Sequence, residues 1–233
     1  MATPGASIAD RISDIIGTEY ATIPSLSYKD LINAAFNEVA DNVSEDLLLK
    51  YSPAPTTVTS ASGVSIEDKK ILSVTRIDAN GGVERACSIL GRTEFSEATD
   101  SNSIYYATVY SPIYKIHSDN AASTLVIFPN CDSSGQEGKI FYFPYATNST
   151  DLTAITAATL NTSHYLPSNA IHAVVLKSCM NILQSYISNQ IQDEEDSELL
   201  QMVQAQLQGL ETNYTSEVSR FADAQADASG GSE

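Results

Sequence analysis

The sequence predicts an α+β fold: an N-terminal helix, a central antiparallel β domain, and a C-terminal antiparallel helical hairpin with a flexible tail. Three observations carry this. Apolar residues recur at spacings of three and four at both ends of the chain, the period of a helix with one buried face. Between them the pattern changes to short runs rich in β-branched and aromatic residues, broken by Asn, Gly and Pro. The first change falls at Pro53-Ala54-Pro55, a stiff, non-helical link. The 233 residues suffice to bury a sizeable core. The boundaries read as 1–52 for an N-terminal helical segment packing with the C-terminal helices, 53–165 for the β domain, 166–222 for the helical hairpin and 223–233 for the tail.

The elements follow in order. Ser7 with Asp10 three residues later forms a capping-box pattern, Ile8, Ile12, Ile15 and Ile16 share a face, and Gly17 is a stop. Ser27 with Asp30 opens a second helix. Its stripe of Leu31, Ile32, Ala35, Phe36, Val39, Val43 and Leu47 predicts one helix of roughly 20 residues ending before Pro53. In the β domain, Ile71 to Asp78 and Val83 to Leu90 flank Asn80-Gly81-Gly82, a strong hairpin signal. Ile104 to Tyr110 reads as a further strand, interrupted by Ser111-Pro112. Ile113 to His117 and Thr124 to Phe128 form another hairpin around Ser118-Asp119-Asn120, and Lys139 to Phe143 is the last strand. Residues 147–165 are polar and Thr-rich and read as a loop. Leu166-Pro167 opens a helix whose apolar face runs from Ile171 through Val174, Val175, Cys179, Ile182 and Leu183 to Ile187. The short acidic link Asp193-Glu194-Glu195-Asp196 leads into the last helix, with Leu200, Val203, Leu207, Leu210, Tyr214, Val218 and Phe221 on one stripe. A link that short makes the two helices antiparallel neighbours.

Composition restricts the function. The formal charge is −17, from 12 basic and 29 acidic residues. A surface that grips phosphates needs a basic footprint, so this charge argues against nucleic-acid binding while suiting a wall that nucleic acid must pass without sticking. The charge is unevenly spread: residues 167–233 alone hold 10 acidic and 2 basic groups. No apolar run approaches the roughly 20 residues of a membrane span, and the N-terminus has neither a basic nor an apolar signal-peptide region, so no membrane association is expected. Cys87, Cys131 and Cys179 match no disulfide or metal framework and read as buried or partly buried thiols in a reducing compartment.

Patterns that carry chemistry are missing. His117, His164 and His172 lie at no ligand spacing from one another or from a cysteine, so no metal site is expected. No phosphate-binding glycine loop and no nucleophile elbow occurs. Asp100-Ser101-Asn102-Ser103 resembles the start of a calcium loop, but Tyr105 stands where that loop needs Gly, and an Asx-turn accounts for it. The absence of Trp weighs against a sugar-cleaving cleft. The expectation is a protein that is not an enzyme, with no catalytic residue and no cofactor.

Tyrosine is the one marked feature. Six of the 12 fall between Tyr105 and Tyr145. They read either as a strand face packed on a core or, for Tyr106 and Tyr110, as part of a subunit contact, since Tyr is enriched at interfaces. Tyr214 and Phe221 on the C-terminal stripe invite the same comparison between packing within the chain and packing between subunits. All four are subunit-interface candidates.

Several stretches taken together carry a resemblance. They are Ser103-Ile104-Tyr105-Tyr106 through Ser111-Pro112-Ile113-Tyr114, then Thr124 to Pro129, then Lys139 to Tyr145, then Leu166-Pro167-Ser168-Asn169-Ala170-Ile171-His172 running into Val174-Val175-Leu176. This order resembles virion proteins of tailed bacteriophages, and the arrangement of helix, β insertion, helical hairpin and tail is similar to the head–tail connector (adaptor) class. The resemblance covers residues 28–221. It implies a homo-oligomeric ring in the virion neck, usually of twelve copies, assembled in the bacterial cytoplasm beneath the portal protein and above further neck or tail proteins. Viral DNA would pass through the ring during ejection without specific binding. On this reading the carboxylates of Asp193, Glu194, Glu195, Asp196 and Glu198 are the channel-lining candidates. The alternative is a tail-fibre or baseplate module that binds through the Tyr-rich β domain.

Overall fold

The computed structural model describes residues 5–17, 27–78, 82–119, 122–132, 135–190 and 197–229. The fold is α+β, and the chain divides into two compact units: residues 1–51 with 146–233, and residues 52–145.

The helical unit starts at α1 (Ile8–Ile16), where the expected capping box is present. The Ser7 hydroxyl accepts from Asp10 N and the Asp10 carboxylate accepts from Ser7 N. The predicted 20-residue helix is instead two, α2 (Tyr28–Asn42) and α3 (Glu45–Tyr51). The break falls where β-branched Val43 turns extended and Ser44 caps the new helix, its hydroxyl accepting from Leu47 N. The long helix α6 (Ile171–Gln190) follows a 3-10 turn, Ser168–Ala170, behind Pro167. Ala173, Val174, Val175 and Leu176 are buried in succession, so α6 is covered on every side along this stretch. It is the axis of the unit: α1, α2 and α7 (Ser197–Ser229) all pack on it. Lys177 of α6 lies over the Tyr214 ring of α7, 5.6 Å from its centroid, and forms a 2.7 Å ion pair with Glu38 of α2. Helix α7 continues through Ser229, so the expected tail at 223–229 is helical; Ala222, Ala224, Ala226 and Ala228 favour that state.

Residues 146–165, placed by sequence with the β domain as a loop, belong to the helical unit and contain α5 (Ala157–Ser163). Two asparagines of α2 hold them there. Asn37 donates to Ala146 O at 2.9 Å and accepts from Ala146 N at 2.8 Å, and Asn33 donates to Thr147 O and Thr150 O. Leu152, Leu160 and Leu166 carry the segment into the core.

Among the described residues the β unit has two four-stranded sheets. One has the order β1-β8-β3-β4, with β1 Thr56–Val58, β3 Lys69–Ile77, β4 Glu84–Ala86 and β8 Gly138–Pro144. The other has the order β2-β7-β6-β5, with β2 Val64–Ser65, β5 Ser88–Ile89, β6 Ile113–Asp119 and β7 Ala122–Phe128. The 113–128 hairpin forms in the register Ile113↔Phe128, and β3 pairs with β4 from Thr75↔Ala86 to Ile77↔Glu84. The predicted strand 83–90 is divided between the sheets. Its second part, β5, pairs with β6 in parallel, a departure from an all-antiparallel domain. Val58, Val74 and Ile140 of one sheet meet Leu125 and Ile127 of the other, with Ile66 and Cys131, in the unit's core. Gly138 lets the sheets approach, since a Cβ there would collide with Ile127 and Cys131. Arg76 is also buried in this unit, 1% exposed.

Candidate functional site

The segment 104–110 is where structure and sequence part most sharply. Its Tyr and Ile content predicts a strand, yet it forms a series of turns with only a bridge between Thr108 and Ser111. Side chains take the backbone hydrogen bonds a ladder would have used. Asp100 accepts from Asn102 N in the predicted Asx-turn, Ser103 Oγ accepts from Tyr105 N, and Thr108 Oγ1 accepts from Tyr110 N. Tyr106 N donates to Ser103 O and Ala107 N to Ala98 O, which ties the loop to a helix the sequence reading missed, α4 (Arg92–Thr99). The signal for α4 was present. Gly91 N is capped by the Glu94 carboxylate at 3.1 Å, and Phe95 and Ala98 follow at helical spacing.

Under the loop lies a small core of Phe95, Ala98, Ala107 and Ile113, with Phe128 beside it. Phe128 forms T-shaped pairs with Phe95 and Tyr106, at centroid distances of 6.4 and 5.7 Å. Above this core the loop is bare. Ile104 is 91% exposed, Tyr105 69%, Tyr110 67% and Tyr106 42%. Tyr106 and Tyr110 are therefore surface residues of a loop and not of a strand face, whereas Tyr114 on β6 packs against the core of the β unit as that alternative expects. Arg85 stacks on Tyr110, its guanidinium carbon 5.1 Å from the ring centroid.

Between α4 and this loop opens a cleft of about 440 Å³. Buried Ala98, Ala107 and Ile113 form its floor with Leu90, and exposed Tyr105 and Tyr106 its rim. Glu94 and Glu97, at positions i and i+3 of α4, line it with carboxylates. Neither glutamate was singled out by sequence, because the helix that aligns them was not.

The other candidates lie elsewhere. Tyr214 is half-buried within the helical unit, accepting from Asn42 Nδ2 at 3.3 Å beneath Lys177, and burial followed by the charge of Glu38 pushes its hydroxyl pKa up. Phe221 is buried, 5% exposed, so it serves the chain's own packing. Glu198 is exposed in the first turn of α7. Asp193, Glu194, Glu195 and Asp196 lie outside the described residues. The three histidines are dispersed: His117 on β6, His172 exposed on α6, and His164 at the end of α5 against Phe36, its pKa lowered by burial. Among the described residues no group of three or more His, Cys, Asp or Glu side chains is placed to hold a metal ion. The cysteines are unpaired; burial pushes the thiols of Cys87 and Cys179 up to about 12 and raises that of Cys131 against the opposing effect of Arg76.

The two units differ in charge. Residues 1–51 and 146–233 hold 19 acidic and 5 basic groups, a net −14, whereas residues 52–145 hold 10 and 7, a net −3. The helical unit carries most of the excess, and the β unit is close to balanced.

In comparisons with known proteins, no protein-family model and no curated protein matches this chain.

Proposed function

We propose that this chain is a virion structural protein of a tailed bacteriophage, a head–tail connector that assembles as a ring below the portal. The observation that carries the reading is the charge partition, with a net −14 in the helical unit against −3 in the β unit. Excess carboxylate does nothing for a fold and weakens it by self-repulsion. A channel wall that DNA slides past gains from it, because fixed negative charge repels phosphates and keeps them from adhering. The helices supply that wall and Glu198 is among its carboxylates. Tyr110, exposed on the 104–110 loop and outside the cleft, supplies a subunit contact, since rigid aromatic side chains with polar tips suit protein interfaces.

Electron microscopy of the intact particle tests this directly. Density for the chain is expected in the neck, around the DNA exit path, with the helical unit inward. Density elsewhere in the particle, or the helices on the outer surface of the ring, overturns it. In solution, twelve chains of 25.0 kDa would run at about 300 kDa.

One observation favours the alternative, a fibre or baseplate module: the cleft beneath Tyr105 and Tyr106 is shaped to receive something. A trimeric native mass with the cleft facing outward distinguishes that reading.

A further inference from the structure

We propose that the cleft between α4 and the 104–110 loop is a docking site for an arginine or lysine side chain presented by a basic segment of a partner protein. The proposal does not rest on the ring reading and applies equally to a connector or a fibre module.

The geometry is that of a receptor for an alkyl stem bearing a cationic head. The floor of Leu90, Ala98, Ala107 and Ile113 is apolar and suits the methylene stem. Tyr105 and Tyr106 at the rim offer ring faces, and both are exposed enough to be approached. Glu94 and Glu97 stand on the same side of α4, like charges one turn apart that a guanidinium or ammonium would neutralise together. The Glu94 carboxylate is already held in place by Gly91 N. The chain makes two contacts of this chemical type nearby: Arg85 over the ring of Tyr110, and Lys115 over the ring of Phe95 with its Nζ 4.5 Å from the centroid. Those cations are committed to their own rings, and no ion pair joins either to Glu94 or Glu97 among the described residues.

Charge selects the occupant. A second copy of this chain brings a net charge of −17 to a cleft lined by carboxylates, so self-docking is opposed. A neutral glycan would use the tyrosines but leave the paired carboxylates unneutralised. A basic polypeptide segment satisfies floor, rim and charge together.

The test uses the full chain and a fluorescein-labelled, capped peptide of sequence Ser-Ala-Arg-Gly-Arg-Ala-Ser, alongside a copy with citrulline for both arginines. Binding is read by fluorescence anisotropy at about 150 mM salt, where diffuse attraction is screened beyond roughly 8 Å. Saturable binding of the arginine peptide is expected, with the citrulline peptide at least about 5-fold weaker. Glu97→Gln and Tyr105→Ala should each weaken it by about 2- to 5-fold, while Glu211→Gln, at an exposed carboxylate of α7, leaves it unchanged. Both cleft substitutions are at exposed positions, so folding is retained, and circular dichroism checks this. Equal losses from Glu97→Gln and Glu211→Gln would mean diffuse charge and overturn the proposal. So would equal binding of the citrulline peptide, no saturable binding, or a Tyr105→Ala variant whose only change is a smaller native mass.

Discussion

Replacing Arg76 probes how the β unit is held closed around its loops. The side chain is 1% exposed. Its Nε donates to Pro129 O at 2.9 Å, and its Nη2 to Gln136 Oε1 at 2.6 Å and to Asn130 O at 3.2 Å; Nη1 reaches Ile77 O at 3.4 Å. One fork thus ties β3 to the segment between β7 and β8. Hydrogen bonds from a charged donor contribute about 1.5–3 kcal/mol each. Counting only the two shorter ones, Arg76→Ala should cost about 3–6 kcal/mol, a large share of the roughly 5–15 kcal/mol that stabilises a typical domain. Arg76→Met keeps most of the volume and removes every donor, so a similar loss would assign the effect to the hydrogen bonds rather than to a cavity. Arg76→Lys retains charge but not the fork and should fall between the parent and Arg76→Ala. The assay is hydrogen exchange by mass spectrometry in increasing urea, read on peptides covering β3, β7 and β8, because tyrosine fluorescence would mix the two units. Peptides from α6 serve as the internal control and should be unaffected. Loss below about 1 kcal/mol for Arg76→Ala, or equal loss in α6, would refute the assignment of Arg76 as the tie between β3 and this loop.

Two further predictions follow from the geometry. Asn37→Ala removes both hydrogen bonds to Ala146 and should destabilise the helical unit by about 2 kcal/mol, seen as faster exchange at 146–150 with β8 unchanged; Asn37→Asp, which keeps only the acceptor, should recover part of the loss. The thiols of Cys87 and Cys179 have folded-state pKa values raised from 9.0 to about 12 by burial. Unfolded thiols release their protons first, so this stabilising contribution is complete below about pH 9 and is lost as pH rises from there toward 12. The urea midpoint should therefore fall between pH 9 and 11, less steeply in the Cys87→Ala, Cys179→Ala double variant, and a pH-independent midpoint in the parent would contradict the burial.

Local signals in the chain were enough for some elements. The Ser7–Asp10 capping box, the stripe along α6 and the 113–128 hairpin each depend on residues within a few positions of one another, so spacing and turn chemistry define them. The last helix is similar: Val203, Leu210 and Phe221 of its stripe are all buried. Charge was legible too, as a total and as a C-terminal excess, but its division into −14 and −3 needed the boundary at 145/146, which rests on Asn33 and Asn37 reaching across more than 100 positions.

The candidate site was only half visible. Sequence singled out Tyr106 and Tyr110, and composition marked the whole segment as a strand, since Tyr, Ile and Val favour a pleated, half-buried surface. That preference describes what such a segment does when a neighbouring strand is available to pair with it. Here β5 takes the place beside β6, while Ala98 O and the Phe128 ring capture Ala107 N and Tyr106, so the tyrosines end on a turn at the surface. Glu94 and Glu97 became a pair because α4 aligned them, and Arg76 became a tie because β3 placed it inside. By itself the sequence determined the elements whose signals are local, such as α1, α6 and the 113–128 hairpin, and how acidic the molecule is, because those properties are set by neighbouring residues and by simple addition. Which strand pairs with which, which cation is buried and which aromatic rings face water were decided only by the tertiary structure, because each depends on groups far apart in the chain competing for the same hydrogen bonds and the same space.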